Sequence, residues 1–228
     1  MIMIKTFLQT CYSLFRLSYG KGITGLLLFF CLSFSGCNND SDDDYVFPAL
    51  INEFADLYSD QNGFGTKLIT DNGNTYIPQT SIQNLLPEAV YRIICGFELT
   101  GNEKNGYPVV KVYQARNVTL LKEGDLTETD PTNVISVWKG GNYINFRLTP
   151  KTQGGTQNWG YKTEQITTTT TGKTYHLTLC HDQGDDPCAY TTTIYASLPF
   201  SGLNLQKGDS IAITIQTFDT TKVWQFAY

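Results

Sequence analysis

The densest group of chemically reactive side chains lies between Cys180 and Cys188. These nine residues contain two thiols, the imidazole of His181 and three aspartate carboxylates. A disulfide between Cys180 and Cys188 would close a short loop and stabilise the fold by roughly 3 kcal/mol, provided that the two Cα atoms lie within about 7 Å. An acidic turn with two unpaired cysteines is the alternative. We take the pair as a candidate disulfide.

Cysteine, histidine and carboxylate groups are also metal ligands, so zinc and calcium deserve consideration. The spacing in residues 180–188 matches neither a zinc ribbon nor the calcium loop of an EF-hand. Metal binding therefore stays an alternative for this stretch. We predict no metal ion and no cofactor.

Catalysis would need a positioned base, and histidine is scarce. The chain has two histidines, His176 among threonines and His181 in the stretch above. It contains no Gly-x-Ser-x-Gly elbow, no His-Glu-x-x-His helix and no phosphate loop. Carboxylate pairs of the glycosidase kind remain an alternative, because their members can lie far apart in sequence. We predict no catalytic residues and no enzyme, and we interpret Cys95 as a small buried apolar residue.

Aromatic side chains beside a loop offer better chemistry for binding. Residues 152–160 are polar and glycine-rich and contain Trp159, with Tyr161 directly after them. Exposed rings can stack on sugars or pack against a partner protein, and loops on β scaffolds often carry binding sites. We predict an exposed loop here, with Trp159 and Tyr161 as candidate ligand contacts. The alternative is a disordered hairpin tip.

The N-terminus has the features of a bacterial lipoprotein signal. The first 36 residues carry Lys5, Arg16 and Lys21 but no acidic residue, and they contain the apolar run 23–34. That run is short for a membrane span, which needs about 20 apolar residues. Small residues then precede Cys37, so we predict cleavage after residue 36 and lipidation of Cys37. An ordinary secretory signal is the alternative.

An acidic tether follows the predicted lipid site. Residues 37–46 include four aspartates and no long apolar side chain before Tyr45, so we expect an extended, solvated linker to the membrane. Without the three basic residues of the signal, 13 basic residues face 21 acidic ones, a net charge near −8. Phosphate binding needs clustered Lys and Arg, so the balance argues against nucleic acid as a partner.

The elements that position these residues are predicted to be strands. Thr, Tyr, Phe and Ile are frequent, and alternating polar and apolar residues are separated by turns such as Asn72-Gly73 and Gly140-Gly141. The polar segment 122–131 is a natural boundary. We predict an all-β protein with a small barrel at 47–122 and a β-sandwich at 131–228.

The sequence resembles the NigD-like lipoproteins of Bacteroidetes. The likeness rests on the acidic segment after Cys37, the hairpin Val137–Phe146, and a strand at 177–179 that leads into His181 and Asp185-Asp186-Pro187. It implies an N-terminal OB-like barrel, a C-terminal β-sandwich and no established catalytic residues. The family is named for a member encoded beside a bacteriocin.

The resemblance also bears on location and modification. In Bacteroidetes, acidic runs after the lipid cysteine resemble a signal for display on the outer face of the outer membrane; a periplasm-facing anchor is the alternative. Asp219-Thr220-Thr221 resembles a Bacteroidetes O-glycosylation site, which makes Thr220 a candidate acceptor.

We therefore expect a surface-anchored, non-catalytic interaction or accessory module of the cell envelope, with a bacteriocin-associated role as its finer form. An envelope protein or a glycan would be its partner. A small-ligand or glycan-binding lipoprotein and a hydrolase are the alternative functions.

Overall fold

β-Strands provide nearly all the regular structure in residues 49–228, which are the residues that the computed structural model describes. The predictions for the signal peptide, Cys37 and the tether lie outside the described residues. The strands are β1 (Ile51–Ser59), β2 (Gly65–Thr70), β3 (Thr75–Pro78), β4 (Val90–Lys104), β5 (Tyr107–Asn117), β6 (Thr119–Leu120), β7 (Asn133–Gly140), β8 (Tyr143–Thr149), β9 (Lys151–Thr152), β10 (Asn158–Thr168), β11 (Lys173–Asp182), β12 (Tyr190–Thr191), β13 (Ile194–Pro199), β14 (Ser210–Gln216) and β15 (Thr221–Ala227). Between residues 49 and 228, no helix is long and apolar enough to cross a membrane.

The first five strands close into a barrel in the order β1-β2-β3-β5-β4. Alternate residues of β4 point into it, because successive side chains of a strand face opposite sides. Ile93, Cys95 and Phe97 are buried there, together with Ala55 and Leu57 of β1. The predicted turn after β2 is present, with Gly73 at a φ of 81°.

The remaining strands form a sandwich of two four-stranded sheets. One sheet has the order β6-β13-β8-β7 and the other β10-β11-β14-β15, with a small β9–β12 pair beside them. Their facing sides bury aliphatic and aromatic residues such as Ile144, Phe146, Leu177, Leu198 and Ile213. A closed barrel followed by a sandwich confirms the predicted all-β fold class.

The sandwich begins before the acidic segment that composition marks as a boundary. Strand β6 pairs in parallel with β13, and Leu121 is fully buried in the sandwich core. The acidic segment itself then runs along the second sheet, where Glu123 and Thr129 form single bridges with Tyr161 and His181. The polar composition of the segment does not predict this packing, because backbone groups make the contacts with strands that are distant in sequence.

Candidate functional site

Asp186 organises the predicted loop between β9 and β10. Its carboxylate accepts hydrogen bonds from the Thr152 hydroxyl, from the Gln153 and Gly155 N–H groups at 2.8 and 3.1 Å, and from Gln157 Nε2 at 2.8 Å. These donors, with the Thr152 hydroxyl the largest contributor, lower the pKa of Asp186 to about 2. We call these five residues the Asp186 network.

The Asp186 network leaves the loop little freedom. A Cβ at Gly155 would lie 2.8 Å from Cβ, Cγ and Oδ1 of Asp186, so the carboxylate packs directly on the glycine. Residues 153–157 therefore fold around the Asp186 carboxylate, which accepts their hydrogen bonds. The acidic Asp185-Asp186-Pro187 turn is a structural element in this region.

The structure corrects the placement of Trp159 and buries Tyr161, while the role of Trp159 as a ligand contact stays a prediction. Both lie on β10 rather than in a loop, because the strand begins at Asn158. The Trp159 ring stacks on His181 with centroids 3.8 Å apart, and Tyr161 is buried at 3% exposure in the sandwich core. The Gly-rich pattern misplaced Trp159 because its last three residues, 158–160, already belong to the strand.

His181 is fixed inside the fold. Its Nδ1 lies 2.9 Å from the Asp130 carbonyl oxygen and its Nε2 lies 3.0 Å from Gln157 Oε1. Burial lowers the pKa of His181, although the Asp130 carbonyl and the carboxylates of Asp130 and Asp182 act in the opposite direction. Both ring nitrogens thus contact protein atoms.

The candidate disulfide is not formed: Cys180 and Cys188 are free thiols in the structure. The expectation assumed that they end adjacent strands, but β12, which follows Cys188, pairs with β9 and not with β11. Cys180 is buried on β11, whereas Cys188 is exposed and accepts a hydrogen bond from Gln183 Nε2 at 2.9 Å. The acidic turn with two unpaired cysteines is the interpretation that matches the structure.

The other predicted sites among the described residues are Cys95 and Thr220. In the described part of the chain, no three His, Cys, Asp or Glu side chains could jointly hold a metal ion. Burial, with the Glu53 carboxylate, raises the pKa of Cys95 to about 12, so this thiol is protonated at neutral pH. Thr220 is exposed in the turn between β14 and β15, and its glycosylation stays a prediction.

We predict that Asp186→Asn lowers the melting temperature by a few degrees, because an amide cannot accept from all four donors. The folded-state pKa of Asp186 lies below that of the unfolded chain, so its contribution is present above about pH 4 and is lost as the pH falls toward about 2. Thermal unfolding at several pH values should show that the melting temperature of Asp186→Asn falls less on acidification than that of the wild type. The exposed neighbour Asp185→Asn is the control, and equal curves for the two variants would contradict the assignment.

A buried arginine joins the barrel to the sandwich. Arg92 of β4 pairs with Asp56 at 3.3 Å and with Asp71 at 2.6 Å, while its Nε and Nη2 donate to Ser197 and Asn145 of the sandwich at 3.2 and 3.1 Å. The arginine side chain is 1% exposed. These residues, together with Tyr143, form the Arg92 network.

Tyr143 covers the guanidinium from the sandwich side. The Arg92 Cζ lies 3.8 Å from the centre of the Tyr143 ring, and the Tyr143 hydroxyl donates to Asp56 Oδ1 at 3.1 Å. Burial, followed by the Asp56 carboxylate, raises the pKa of Tyr143 to about 12. The hydroxyl therefore remains a donor to the carboxylate at neutral pH.

Gly140 permits the close approach of the β7–β8 hairpin. A Cβ at this position would clash with Asp71 Oδ2 and lie 2.8 Å from Asn145 Nδ2. The glycine pair that signals a hairpin in the sequence thus also makes room for the Arg92 network. Arg92 was not predicted, because a charged residue within an alternating strand is expected to face solvent. The neighbouring Ile93 and Ile94 are the signal, since adjacent apolar residues indicate cover on both faces.

We predict that Arg92→Met destabilises the protein by about 3–5 kcal/mol, because Asp56 and Asp71, whose side chains are only 19% and 15% exposed, then lose their countercharge. Urea unfolding measures the loss. Adding Asp71→Asn should cost less than the sum of the two single substitutions. Lys162→Met, which breaks the exposed 3.3 Å pair with Glu164, is the control and should cost below about 1 kcal/mol. Additive costs would show that Arg92 and Asp71 act independently.

A cleft of about 400 Å³ lies beside the Arg92 network, between barrel and sandwich residues. Phe54 and Ile94 come from the barrel, whereas Trp138, Arg147 and Tyr195 come from the sandwich. Its size falls in the range of small-molecule sites, about 300–1,000 Å³. No sequence motif marked it, because its lining comes from six separate segments.

Comparison with known proteins agrees with this architecture. The sequence model of the NigD-like C-terminal β-sandwich domain matches residues 117–228, which begin just before β6. A search of curated proteins found no match.

Solved structures from Bacteroides and Parabacteroides share the fold. A NigD-like immunity protein from Bacteroides caccae matches with a TM-score of 0.59 and 21% identity, covering 80% of this chain and 99% of that one. A toxin-related protein from Parabacteroides distasonis gives a TM-score of 0.64 and 16% identity over 78% and 93% of the two chains. A Bacteroides fragilis protein named as a lipoprotein gives 0.59 and 14% over 78% and 98%. At these identities the likeness shows the fold.

Proposed function

Because residues 117–228 make this chain a member of the NigD-like family, we propose that it is a non-catalytic accessory module of the cell envelope. In this proposal a lipid on Cys37 holds it at the outer membrane, on the cell-surface side. The folded part then contributes a binding surface for another envelope protein.

The use of the polar side chains supports a non-catalytic role. His181 contacts Asp130 and Gln157 through both ring nitrogens, and the Asp186 carboxylate accepts four hydrogen bonds from its own loop. Arg92 is likewise surrounded by its partners in the fold. The groups best suited to acid–base chemistry are thus occupied by structural contacts.

The observation that carries the binding role is an apolar rim at one end of the barrel. Phe64, Leu86 and Val90 are 40%, 71% and 51% exposed, and we call these three residues the barrel-end rim. Large apolar side chains that remain exposed on neighbouring loops are candidate contact sites for partners. The acidic residues Asp60 and Glu88 belong to the same loops, so polar side chains lie beside the apolar ones.

The barrel-end rim rests on a well-bonded support. The Ser59 hydroxyl lies 2.6 Å from the Leu86 carbonyl oxygen, and the Glu88 N–H donates to the Asp60 carbonyl at 3.0 Å. A Cβ at Gly63 would overlap the Leu85 carbonyl, so the two loops are in direct contact. A preorganised apolar surface loses little conformational entropy on binding.

A more specific version of the proposal names bacteriocins as the process in which the module acts. The Bacteroides caccae structure is named as that of an immunity protein, and the sequence resemblance is to a family named for a member encoded beside a bacteriocin. The partner of this chain would then be a bacteriocin or the envelope protein that a bacteriocin targets.

We predict that cross-linking in intact cells captures an envelope partner through the barrel-end rim. Leu86→Glu should reduce capture at least tenfold, because a charge then replaces an apolar contact. Val223→Glu on β15, where Val223 is 57% exposed, is the matched control and should capture as the wild type does. Absence of a partner above background, or equal capture by both variants, would refute this role of the rim.

We predict that Cys37→Ala abolishes incorporation of labelled palmitate and releases the protein from the membrane fraction, since one cysteine carries the anchor. Cys188→Ala, at an exposed thiol of the folded part, should incorporate label normally. External protease that digests the protein on whole cells would agree with surface display, whereas protection would favour the periplasm-facing alternative. Continued labelling of Cys37→Ala would contradict the anchor.

A further inference from the structure

The floor of the cleft is aromatic. Phe54 makes edge contacts with Trp138 and Tyr195, with ring centroids 5.3 and 5.7 Å apart. The Arg92 guanidinium lies 5.3 Å from the Phe54 ring on the network side. The floor is therefore attached to the part of the structure that joins the barrel to the sandwich.

Trp138 differs from the other two tryptophans. Trp159 and Trp224 pack against the sandwich core, whereas Trp138 lies on the opposite face of its sheet and lines the cleft. The register places Trp138 opposite Asn145, and Ser136 opposite Arg147, which itself lies opposite Tyr195 of β13. The sheet thus presents an indole, a guanidinium and a phenol in neighbouring positions.

The polar side chains around this floor have few partners in the protein. Among the described residues, Asn52, Ser136 and Arg147 line the cleft without a side-chain hydrogen bond or ion pair of their own. Asn72 has one long contact, 3.4 Å from its Nδ2 to Glu53 Oε1. The cleft therefore offers amide, hydroxyl and guanidinium groups that are free to bond a ligand.

We propose that this cleft binds a short saccharide. A sugar ring packs its C–H face against Trp138, while its hydroxyls exchange hydrogen bonds with Asn52 and Asn72 and accept them from Arg147. The combination suits a polyhydroxylated ligand, which needs an apolar platform together with groups that both donate and accept.

The lining also argues against a purely apolar ligand. Among the described residues that line the cleft, Ile94 is the one aliphatic side chain, and most of the others are polar or aromatic. An apolar guest would leave the amides and the Arg147 guanidinium desolvated and unpaired, which is costly. A sugar supplies a hydroxyl to each of them.

This ligand site is separate from the barrel-end rim and goes beyond the accessory role. The cleft is lined by β1, β4, the β2–β3 turn and the sheet β7-β8-β13, whereas the rim lies on the β1–β2 and β3–β4 loops. Protein capture and sugar binding can therefore fail independently of each other.

The test is calorimetric titration of the intact protein with neutral and uronate oligosaccharides of two to four sugar units, in a detergent without a sugar headgroup. We expect at least one class to bind, and a uronate to bind more tightly if its carboxylate pairs with Arg147. Arg147→Ala should weaken binding at least tenfold without altering the melting temperature, because the side chain is exposed and has no partner among the described residues. Trp138→Ala should abolish binding.

The control is Lys207→Ala, which also removes one positive charge but lies in an exposed turn that does not line the cleft. It should bind the sugar as the wild type does. A melting curve identifies any loss of binding in Trp138→Ala that comes from unfolding, and Arg147→Ala then decides the question. Lack of binding by both saccharide classes, or unchanged binding by Arg147→Ala, would overturn the proposal.

Discussion

The architecture depends on burying one guanidinium. A charge of this kind is stable away from water only when it is paired and hydrogen-bonded. The barrel supplies Arg92 with Asp56 and Asp71, but these carboxylates leave the remaining donors unpaired. Asn145 and Ser197 of the sandwich accept from them. Neither half satisfies the arginine alone, so the network couples the barrel to the sandwich.

The same constraint explains the surrounding geometry. Asp71 reaches Arg92 only because Gly140 leaves space for it, and the β7–β8 hairpin that contains Gly140 also carries Trp138. Phe54 lies between the guanidinium and that indole. Each of these features therefore contacts the next: the ion pair packs on the hairpin glycine and on Phe54, and Phe54 packs on Trp138.

The sequence was sufficient for features that depend on local pattern. The apolar character of Cys95 predicted its burial, and the glycine turns predicted the hairpins. It was insufficient wherever a partner lies far away in the chain. Arg92 has no local mark of burial, and the Asp186 acceptor is 34 residues from its Thr152 donor. Proximity in sequence likewise suggested a disulfide for Cys180 and Cys188 that the strand pairing does not favour.

The distribution of the Arg92 partners has a consequence for the order in which the chain folds. Asn145 lies 53 residues beyond Arg92, and Ser197 lies 105 residues beyond it. Contacts of such separation form slowly, because a long loop must close before they contribute any stability. A barrel whose strands pair first carries an incompletely paired arginine until β13 has formed. The arginine is therefore fully paired only when strands from both halves are in place, so the barrel and the sandwich stabilise each other.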